Sequence, residues 1–294
     1  MRTERAYAKI NLYLDVVSKR PNGYHNIVSI MQTLSLCDRV SLDFQPAEST
    51  SITLVASGND EMPTDRRNLA WRAAELFLTE TGLKGKVKIV IEKQIPVAAG
   101  LAGGSSDAAA VFRGLNALCG YPLTTESLCA LGARLGADIP FCIVGGMAKV
   151  TGIGDGLELL APAATCPMVV ACRGEGVSTV WAYGKLDEKY GDFSIPKEET
   201  ATPDTLSELL AKGDFEASKP LLFNLFEDVV PTVQPFVDVL KKTMLEHGAI
   251  ASMMSGSGPS VFGIFKTEKD AEAACDALKK DGAAAFVCYP CAVD

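Results

Sequence analysis

The sequence predicts an α+β protein built from two domains, and three observations support this class. The chain has 294 residues, enough for a substantial core in each of two domains. Segments of strand-like and of helix-like periodicity occur in both halves, and in the second half they surround a small antiparallel sheet. The composition changes at Pro162. We therefore predict domains at residues 1–161 and 162–294.

The first domain is predicted to begin with strands. Residues 6–17 alternate apolar and polar side chains, which is the period of a strand with one face on the core. Its other face carries Lys9 and Asn11, which are two residues apart and can both reach into one cleft. A solvated face of an antiparallel strand is the alternative. Residues 27–44 and 51–56 predict further strands.

A turn follows the first strand and presents two ring side chains. Residues 21–23 read Pro-Asn-Gly, a turn signal. Tyr24 and His25 stand at its exit. A lone aromatic residue is usually part of the packing and a lone histidine is usually incidental. A flat aromatic ring beside a hydrogen-bonding group, however, suits a nucleobase.

Residues 96–110 are the stretch around which the first domain is arranged. Before it, residues 87–92 alternate and predict a strand, and Pro96 ends the pairing because proline has no N–H for a ladder. After it, residues 107–118 are rich in alanine and leucine and predict a buried helix. An amphipathic helix is also predicted at 68–79.

The glycines and serines of this stretch indicate a phosphate site. Glycine lets the backbone come close to a ligand, and a helix that opens on such a loop points free N–H groups and the positive end of its dipole outward. Ser105 and Ser106 add hydroxyl donors. A tight turn with a serine cap is the alternative. The loop has neither the lysine of a Walker A motif nor the spacing of a dinucleotide fold.

Asp138 is an acidic residue in an otherwise apolar run. A buried carboxylate without a partner costs several kcal/mol or shifts its pKa, so we expect a cation beside it, with Lys9 as the candidate. A carboxylate that caps the following helix or turn is the alternative. Thr124 or Thr125 is predicted to cap the preceding helix, and residues 148–150 predict the last strand of the domain.

The second domain is predicted to mix helices with a small sheet. Residues 187–204 are polar and contain proline, which predicts an exposed loop. The predicted strands cover residues 169–172, 250–254, 260–265 and 283–288. The predicted helices cover about 205–213, 216–229, 233–247 and 268–281. Residues 255–258 form a second glycine-serine turn, which alone signals only a tight hairpin.

Composition and charge exclude several classes of function. A net charge of −8 argues against nucleic acid or an anionic membrane as the partner. The sequence shows no signal core and no apolar run of membrane-spanning length, so we expect a cytoplasmic protein. The nine scattered cysteines are expected to be reduced thiols. The one CxxC, Cys288 with Cys291, lacks the second pair that a structural zinc needs, and we expect no protein-built metal site.

Three separated segments resemble the GHMP kinase superfamily. They are the strand that carries Lys9, the stretch PVAAGLAGGSSDAAA at 96–110, and the turn MSGSGPS at 254–260. They lie in the expected order and span nearly the whole chain. The stretches AKINLYLDVVSKRPNGYHNI, LGADIPF and VSTVWAY further resemble the branch that phosphorylates a methylerythritol unit carried on cytidine diphosphate, in the non-mevalonate route to isoprenoids.

The resemblance implies a fold and a reaction. The N-terminal domain would be of the ribosomal-protein-like type with a left-handed βαβ crossover, and the C-terminal domain would be ferredoxin-like. ATP with Mg²⁺ would donate a phosphoryl group to the tertiary C2 hydroxyl of a small substrate that bears a cytidine diphosphate group. Both would meet in the cleft between the domains. The oligomeric state stays open, a homodimer included.

The resemblance also assigns roles to residues. Asp138 matches the catalytic base, and Lys9 matches the partner that holds it ionised. The residues matched to the acceptor are Asn11, Tyr24, His25, Tyr183 and Ser257. The residues matched to ATP are Pro96, Gly100, Leu101, Ala102, Gly103, Gly104, Ser105 and Ser106, with Lys93 and Asn68 beside the adenosine. Tyr24 would stack on cytosine, His25 would read its edge, and Tyr183 would cover the opposite face.

Two other functions stay open. One is a different GHMP kinase, acting on homoserine, a sugar or a phosphomevalonate. The other is a ligand sensor that binds without phosphorylating, against which the presence of both Lys9 and Asp138 argues.

Overall fold

A computed structural model describes residues 1–58, 62–191, 193 and 202–293. The strands are β1 (Arg2–Lys19), β2 (His25–Pro46), β3 (Ser51–Ser57), β4 (Gly85–Glu92), β5 (Met147–Gly152), β6 (Gly156–Leu159), β7 (Met168–Cys172), β8 (Phe223–Asn224), β9 (Ala249–Met254), β10 (Val261–Phe265) and β11 (Ala284–Cys288). The helices are α1 (Leu69–Thr81), α2 (Gly103–Leu118), α3 (Thr125–Ala133), α4 (Ile139–Val144), α5 (Thr179–Tyr190), α6 (Thr202–Lys212), α7 (Phe215–Ser218), α8 (Phe236–Glu246) and α9 (Glu268–Lys280).

The first sheet is organised by two long antiparallel strands. β2 pairs with β1 along nearly its whole length, with β5 through residues 27–32 and with β4 through residues 39–46. β3 then pairs with β4 in parallel, and α1 connects these two strands. This β3–α1–β4 segment is the predicted βαβ unit, whose left-handed crossover stays a prediction.

Both faces of β1 are buried, so the solvated face considered as an alternative is wrong. Ile10 and Leu12 face a core that also receives side chains from β7 and β10. On the other face Lys9 and Asn11 are also almost completely buried. Polar side chains are rarely buried without hydrogen-bonded partners. The polar face of β1 is therefore a candidate functional site.

The second sheet has the predicted ferredoxin-like topology. Its strand order is β11-β7-β10-β9, and every neighbouring pair is antiparallel. α8 and α9 each precede a strand of this sheet, and both pack on it. The two sheets also meet, because β8 pairs in parallel with β1 at Tyr13 and Leu14. The C-terminal half therefore contributes a short strand to the first sheet.

Four sequence predictions of secondary structure differ from the structure. The strand predicted at 148–150 is not the last of its domain, because β6 follows β5 and pairs with it. The helix predicted at 107–118 begins earlier, at Gly103. The helix predicted at 216–229 is wrong, since those residues form the short α7, 3₁₀ turns and β8. The loop predicted at 187–204 is helical at both ends, as the end of α5 and the start of α6. Gly191 and Phe193 lie outside helices, and residues 192 and 194–201 lie outside the described part of the chain.

Two expectations about the chain as a whole can be compared with the fold. All nine cysteines are free thiols, as predicted. In the part of the chain that the structure covers, no helix combines the length and the apolar character that a membrane span requires.

Candidate active site

The glycine-rich loop ends in a helix whose first turn is open. Ala102 precedes α2 with φ of +57°, a left-handed conformation that an alanine adopts only under constraint. No side chain of the described residues caps this end, and Ser106 is the first residue whose N–H bonds back, to the carbonyl of Ala102. The amides of Gly103, Gly104 and Ser105 are thus left for an anion.

The second glycine-serine turn supports this loop directly. The Ser255 hydroxyl donates to the Gly100 carbonyl at 3.0 Å, and the Ser260 amide donates to the Ala99 carbonyl at 3.2 Å. A Cβ on Gly100 would lie 2.2 Å from the Ser255 carbonyl oxygen, and its φ is +80°. Only glycine fits there. Two segments more than 150 residues apart in sequence therefore form one rigid unit.

Lys9 and Asp138 come together beside the loop, as the sequence predicted. The Lys9 amide donates to the Leu101 carbonyl at 3.2 Å, which holds β1 against the loop. The Lys9 Nζ lies 4.0 Å from Asp138 Oδ2. Lys9 is buried, whereas the Asp138 side chain is 35% exposed. The alternative in which Asp138 caps α4 is wrong, since its carboxylate makes no capping bond to that helix.

A chain of hydrogen bonds fixes the Lys9 ammonium group from behind. Lys9 Nζ donates to Asn11 Oδ1 at 2.7 Å, and Asn11 Nδ2 donates to Ser29 Oγ at 2.8 Å. Ser29 Oγ donates in turn to the Tyr13 carbonyl at 2.6 Å. Because each donor has one acceptor, the amide of Asn11 cannot flip without losing both bonds. The ammonium is therefore oriented toward Asp138.

Two cavities meet at Asp138. One, of about 360 Å³, is lined by Gly103, Gly104, Lys9 and the turn at 256–258. The other, of about 670 Å³, is lined by Tyr24, His25 and part of α5. The residues that line both cavities are Ile27, Ser105, Asp138, Thr179 and Tyr183. Ser257, in the first cavity, shares a hydrogen bond of 3.0 Å with Thr179.

The second cavity contains the ring side chains that the sequence singled out. Tyr24 is 61% exposed, so its ring is available for stacking. His25 is buried and stacks on Tyr183 with centroids 4.6 Å apart. One face of Tyr183 is thus covered by the imidazole. Its tyrosyl oxygen has a raised pKa, because the ring is buried and lies near the Asp138 charge, so Tyr183 is a neutral wall of the site.

Five predicted nucleotide contacts are corrected by the structure, and three of them have other partners. The Ser106 hydroxyl is buried and donates to the Tyr7 carbonyl at 2.5 Å, so it is not offered to a phosphate. The Lys93 ammonium is buried between Asp38 and Asp107. The Asn68 side chain caps α1 through the Ala70 amide. These three side chains line neither cavity, and the same is true of Pro96 and Leu101.

Sequence reasoning missed three residues that organise the site. Thr179 lines both cavities, and the stretch VSTVWAY was the available signal. Asn224 donates to the carbonyls of Met254 and Gly256 at 2.8 and 2.9 Å and so holds the second turn. Asp187 bonds to His25 and Lys19. Nothing in the local sequence of Asn224 or Asp187 indicates these long-range contacts.

The donor atoms of the cavities fit a metal ion that is held mainly by phosphate. Across the described ranges no three His, Cys, Asp or Glu side chains come close enough to hold a cation. The cavities offer the Asp138 carboxylate and the hydroxyls of Ser105, Thr179 and Ser257. Mg²⁺ is commonly bound by one or two carboxylates together with substrate phosphates, and this set agrees with that pattern.

Family models match both halves of the chain. The model described as the GHMP kinases N terminal domain matches residues 68–146, and the model described as GHMP kinases C terminal matches residues 206–284. The first match contains the glycine-rich loop and Asp138, and the second contains the turn at 255–258.

Similar proteins and structures cover almost the whole chain. A protein of Gloeobacter violaceus named 4-diphosphocytidyl-2-C-methyl-D-erythritol kinase is 42% identical over 97% of this chain and 92% of its own length. A protein of the same name from a Synechococcus species is 46% identical over 93% of this chain and 88% of its own. A crystal structure of 4-(cytidine 5′-diphospho)-2C-methyl-D-erythritol kinase superposes with a TM-score of 0.80 at 33% identity, covering 98% of both chains. A homoserine kinase structure from Cytophaga hutchinsonii, at 18% identity and a TM-score of 0.73, shares the fold.

Proposed function

The chain belongs to the GHMP kinase family, and from that premise we propose that it transfers the γ-phosphoryl group of ATP to the C2 hydroxyl of 4-diphosphocytidyl-2-C-methyl-D-erythritol. The products are the 2-phosphate of that substrate and ADP. Relatives at 40–46% identity over most of the chain carry the name of this kinase. The same substrate class accounts for the exposed ring of Tyr24 in the second cavity.

The observation that carries this proposal is the position of Asp138 at the junction of the two cavities. Phosphoryl transfer needs an acceptor hydroxyl in line with the terminal phosphate of the donor. A substrate whose base lies near Tyr24 and whose hydroxyl reaches Asp138 would extend from the second cavity to the first. The glycine loop then faces it from the other side with open amides.

The proposed mechanism divides the work among few groups. The Asp138 carboxylate accepts the hydroxyl proton, and Lys9, 4.0 Å away, keeps this carboxylate ionised and oriented. Carboxylates are weak bases toward alcohols, but in a loose transition state the proton leaves late, so modest basicity suffices. The amides of Gly103, Gly104 and Ser105 and the dipole of α2 stabilise the charge on the phosphates.

The nucleotide is proposed to arrive with Mg²⁺. The hydroxyls of Ser105 and Thr179, which line both cavities, would complete its coordination, and the Asp138 carboxylate would stay free to accept the proton. When bound, the ion neutralises phosphate charge.

A substrate panel tests the proposal. Purified protein with ATP and Mg²⁺ is offered the cytidylated methylerythritol, homoserine, galactose and phosphomevalonate, and ADP release is measured by a coupled assay. We expect turnover with the cytidylated compound alone. Turnover with another acceptor instead would refute the proposed substrate, and ATP binding without turnover on any acceptor would favour a sensor.

The stacking role of Tyr24 can be tested separately. We expect Tyr24→Ala to raise KM for the cytidylated acceptor about tenfold, since the loss of one base–aromatic stack costs about 1–3 kcal/mol. KM for ATP should not change. Steady-state kinetics with each substrate varied in turn provide the measurement, and equal effects on both KM values would contradict the assignment.

A further inference from the structure

Helix α5 holds the imidazole of His25 in two ways. Tyr183 and Asp187 are four residues apart and therefore lie on one face of the helix. Tyr183 stacks on the imidazole with an angle of 12° between the rings. Asp187 Oδ1 lies 2.8 Å from the Nε2 nitrogen of the same ring. The ring plane and one ring edge are both fixed by residues of the C-terminal half of the chain.

The Asp187 carboxylate has a second partner. Its Oδ2 accepts a hydrogen bond from Lys19 Nζ at 2.5 Å. Burial alone would raise the pKa of Asp187, but the hydrogen bonds from Lys19 and His25 outweigh it and lower this pKa below its ordinary value. The carboxylate is therefore ionised at neutral pH and can only accept hydrogen bonds.

We propose that Asp187 is a positioning residue that fixes the tautomer of His25 and thereby selects the base that the site accepts. An ionised carboxylate at Nε2 requires the proton of the neutral imidazole to be on Nε2. Nδ1 then carries the lone pair and can only accept. Within the described residues Nδ1 has no hydrogen-bond partner, and the ring lines the second cavity.

The chemistry of Nδ1 then decides which base edge fits. A fixed acceptor pairs with a donor, such as the exocyclic amino group of cytosine. Uracil has a carbonyl oxygen at that place, and two acceptors facing each other leave both unpaired, which costs about 1–3 kcal/mol. This step rests on the proposed function for the identity of the base, whereas the tautomer of His25 does not.

Lys19 makes an isosteric substitution at Asp187 informative. A lysine ammonium can only donate. In Asp187→Asn the amide oxygen is expected to turn toward Lys19, which leaves the amide NH₂ group facing His25 Nε2. Nε2 must then accept, and the proton moves to Nδ1. In the double variant Lys19→Met with Asp187→Asn, the amide is free to turn its oxygen to His25, and the original tautomer returns.

Nuclear magnetic resonance of the imidazole nitrogens tests the tautomer directly in the unliganded protein. The chain has two histidines, and His247 is an internal reference of opposite state, because its Nδ1 lies 2.8 Å from the Thr243 carbonyl oxygen and must donate to it. At pH 8 we expect the proton on Nε2 of His25 and on Nδ1 of His247. Asp187→Asn should move the His25 proton to Nδ1, the double variant should return it, and Lys19→Met alone should keep the wild-type tautomer.

Kinetics then connect the tautomer to base selection. We expect Asp187→Asn to raise KM for the cytidylated acceptor about tenfold, with kcat and KM for ATP near wild type, and to reduce the preference over the uridine analogue of that acceptor. The double variant should recover most of the loss. If the Lys19–Asp187 ion pair had only a structural role, the double variant should show no recovery, because both variants lose that pair.

The outcomes separate this inference from the proposed function. If wild-type protein fails to phosphorylate the cytidylated acceptor, the proposed function is refuted. The tautomer of His25 is then tested only by the magnetic resonance spectra of the imidazole nitrogens. If wild-type protein is active but Asp187→Asn keeps the proton on Nε2, or the double variant is no better than the single one, the inference is overturned.

Discussion

Two lysine–aspartate clusters lie on either side of the glycine-rich loop, and they are built differently. Lys9 and Asp138 lie beside the loop at the cavities. The other cluster, Lys93 with Asp38 and Asp107, lies beneath the loop, where a Cβ on Gly103 would come within 3.1 Å of the Lys93 ammonium. The residue types are the same, so geometry alone decides what each cluster can do.

The cluster beneath the loop is closed. The Lys93 ammonium lies 2.5 Å from Asp38 and 2.9 Å from Asp107, and all three side chains are buried. The second oxygen of Asp38 accepts the amides of Gln94 and Ile95. The end of β4 and the first turns of α2 are thereby fixed to β2. All the charged groups of this cluster are therefore used to hold the backbone of the loop in place.

The cluster beside the loop is open. Its ion pair is 4.0 Å long, and the Asp138 carboxylate is partly exposed to the cavities. Among the described residues, Asn11 accepts one hydrogen bond from the lysine, and no hydrogen bond holds the Asp138 carboxylate. A carboxylate with free lone pairs beside a fixed cation can take a proton from a substrate without losing a structural bond. We therefore propose that the looser cluster is the catalytic one.

The largest expected effect is on the open cluster. We expect Asp138→Ala to lower kcat about 10³-fold, since it removes the proposed proton acceptor, while ATP still binds with near wild-type affinity. Turnover comes from coupled ADP release and ATP affinity from calorimetry.

Asp276→Ala is the matched control, because Asp276 is an exposed aspartate on the outer face of α9. It should leave kcat and the affinity for ATP unchanged. Turnover near the wild-type value in Asp138→Ala would remove Asp138 from the mechanism and end the distinction between the two clusters.

The open cluster was predictable from sequence, and the closed one was not. The sequence argument paired Asp138 with Lys9 by treating Asp138 as a buried acid that needs a cation. The pairing is found, but Asp138 is 35% exposed, so burial is not the reason for it. Lys93 was assigned to the nucleotide only through the resemblance to the GHMP kinases. Its burial depends on Asp38, 55 residues away, and no local pattern reveals that partner.

The same limit explains the errors in secondary structure. Gly103 and Gly104 are poor helix formers, so the helix was predicted to begin at Asp107. The amides of a first helical turn have no intrahelical acceptors in any case, and glycine is tolerated there. Residues 216–229 have the apolar content of a helix, but Asn224 binds the second turn instead and draws its segment into a strand. Tertiary contacts overrode propensity at both places.

The next effect separates stability from turnover. Replacing Lys93 should mainly lower stability, whereas replacing Lys9 should mainly lower kcat. Lys93→Met leaves two buried carboxylates without a cation, and we expect it to lower the free energy of unfolding by about 3 kcal/mol or more. Lys9→Met leaves a partly solvated carboxylate and removes the donor to the buried Asn11 Oδ1, so we expect a smaller loss, of about 1–2 kcal/mol, together with a large loss of kcat. Urea unfolding and the coupled assay measure the two quantities.

A charge-free version of the closed cluster is the control. Combining Lys93→Met with Asp38→Asn and Asp107→Asn removes the uncompensated charges, so part of the lost stability should return. If Lys93→Met is as stable as wild type, the closed cluster does not hold the loop and the comparison fails.

The last expected effect is a pH dependence confined to the closed cluster. Burial raises the pKa of Asp107 to about 7, Lys93 offsets part of this, and the Asp38 charge adds to it. Its Oδ1 has no hydrogen-bond partner among the described residues, which agrees with an incompletely stabilised carboxylate. The folded state then holds this proton more tightly than the unfolded chain. Between about pH 4 and about pH 7, the contribution of Asp107 to the free energy of unfolding falls as the pH rises, by at most about 1.4 kcal/mol per pH unit.

Asp107→Asn should remove this contribution, because an amide does not titrate in this range. Other carboxylates also titrate at low pH, so the quantity to measure is the difference in free energy of unfolding between wild type and variant, from urea titrations at pH 5, 6, 7 and 8. Wild type should lose stability relative to Asp107→Asn from pH 5 to 7 and keep a constant difference above pH 7. A constant difference across the whole range would show that Asp107 is ionised throughout and that Lys93 neutralises it fully. The closed cluster would then resemble the open one in charge and differ from it only in burial.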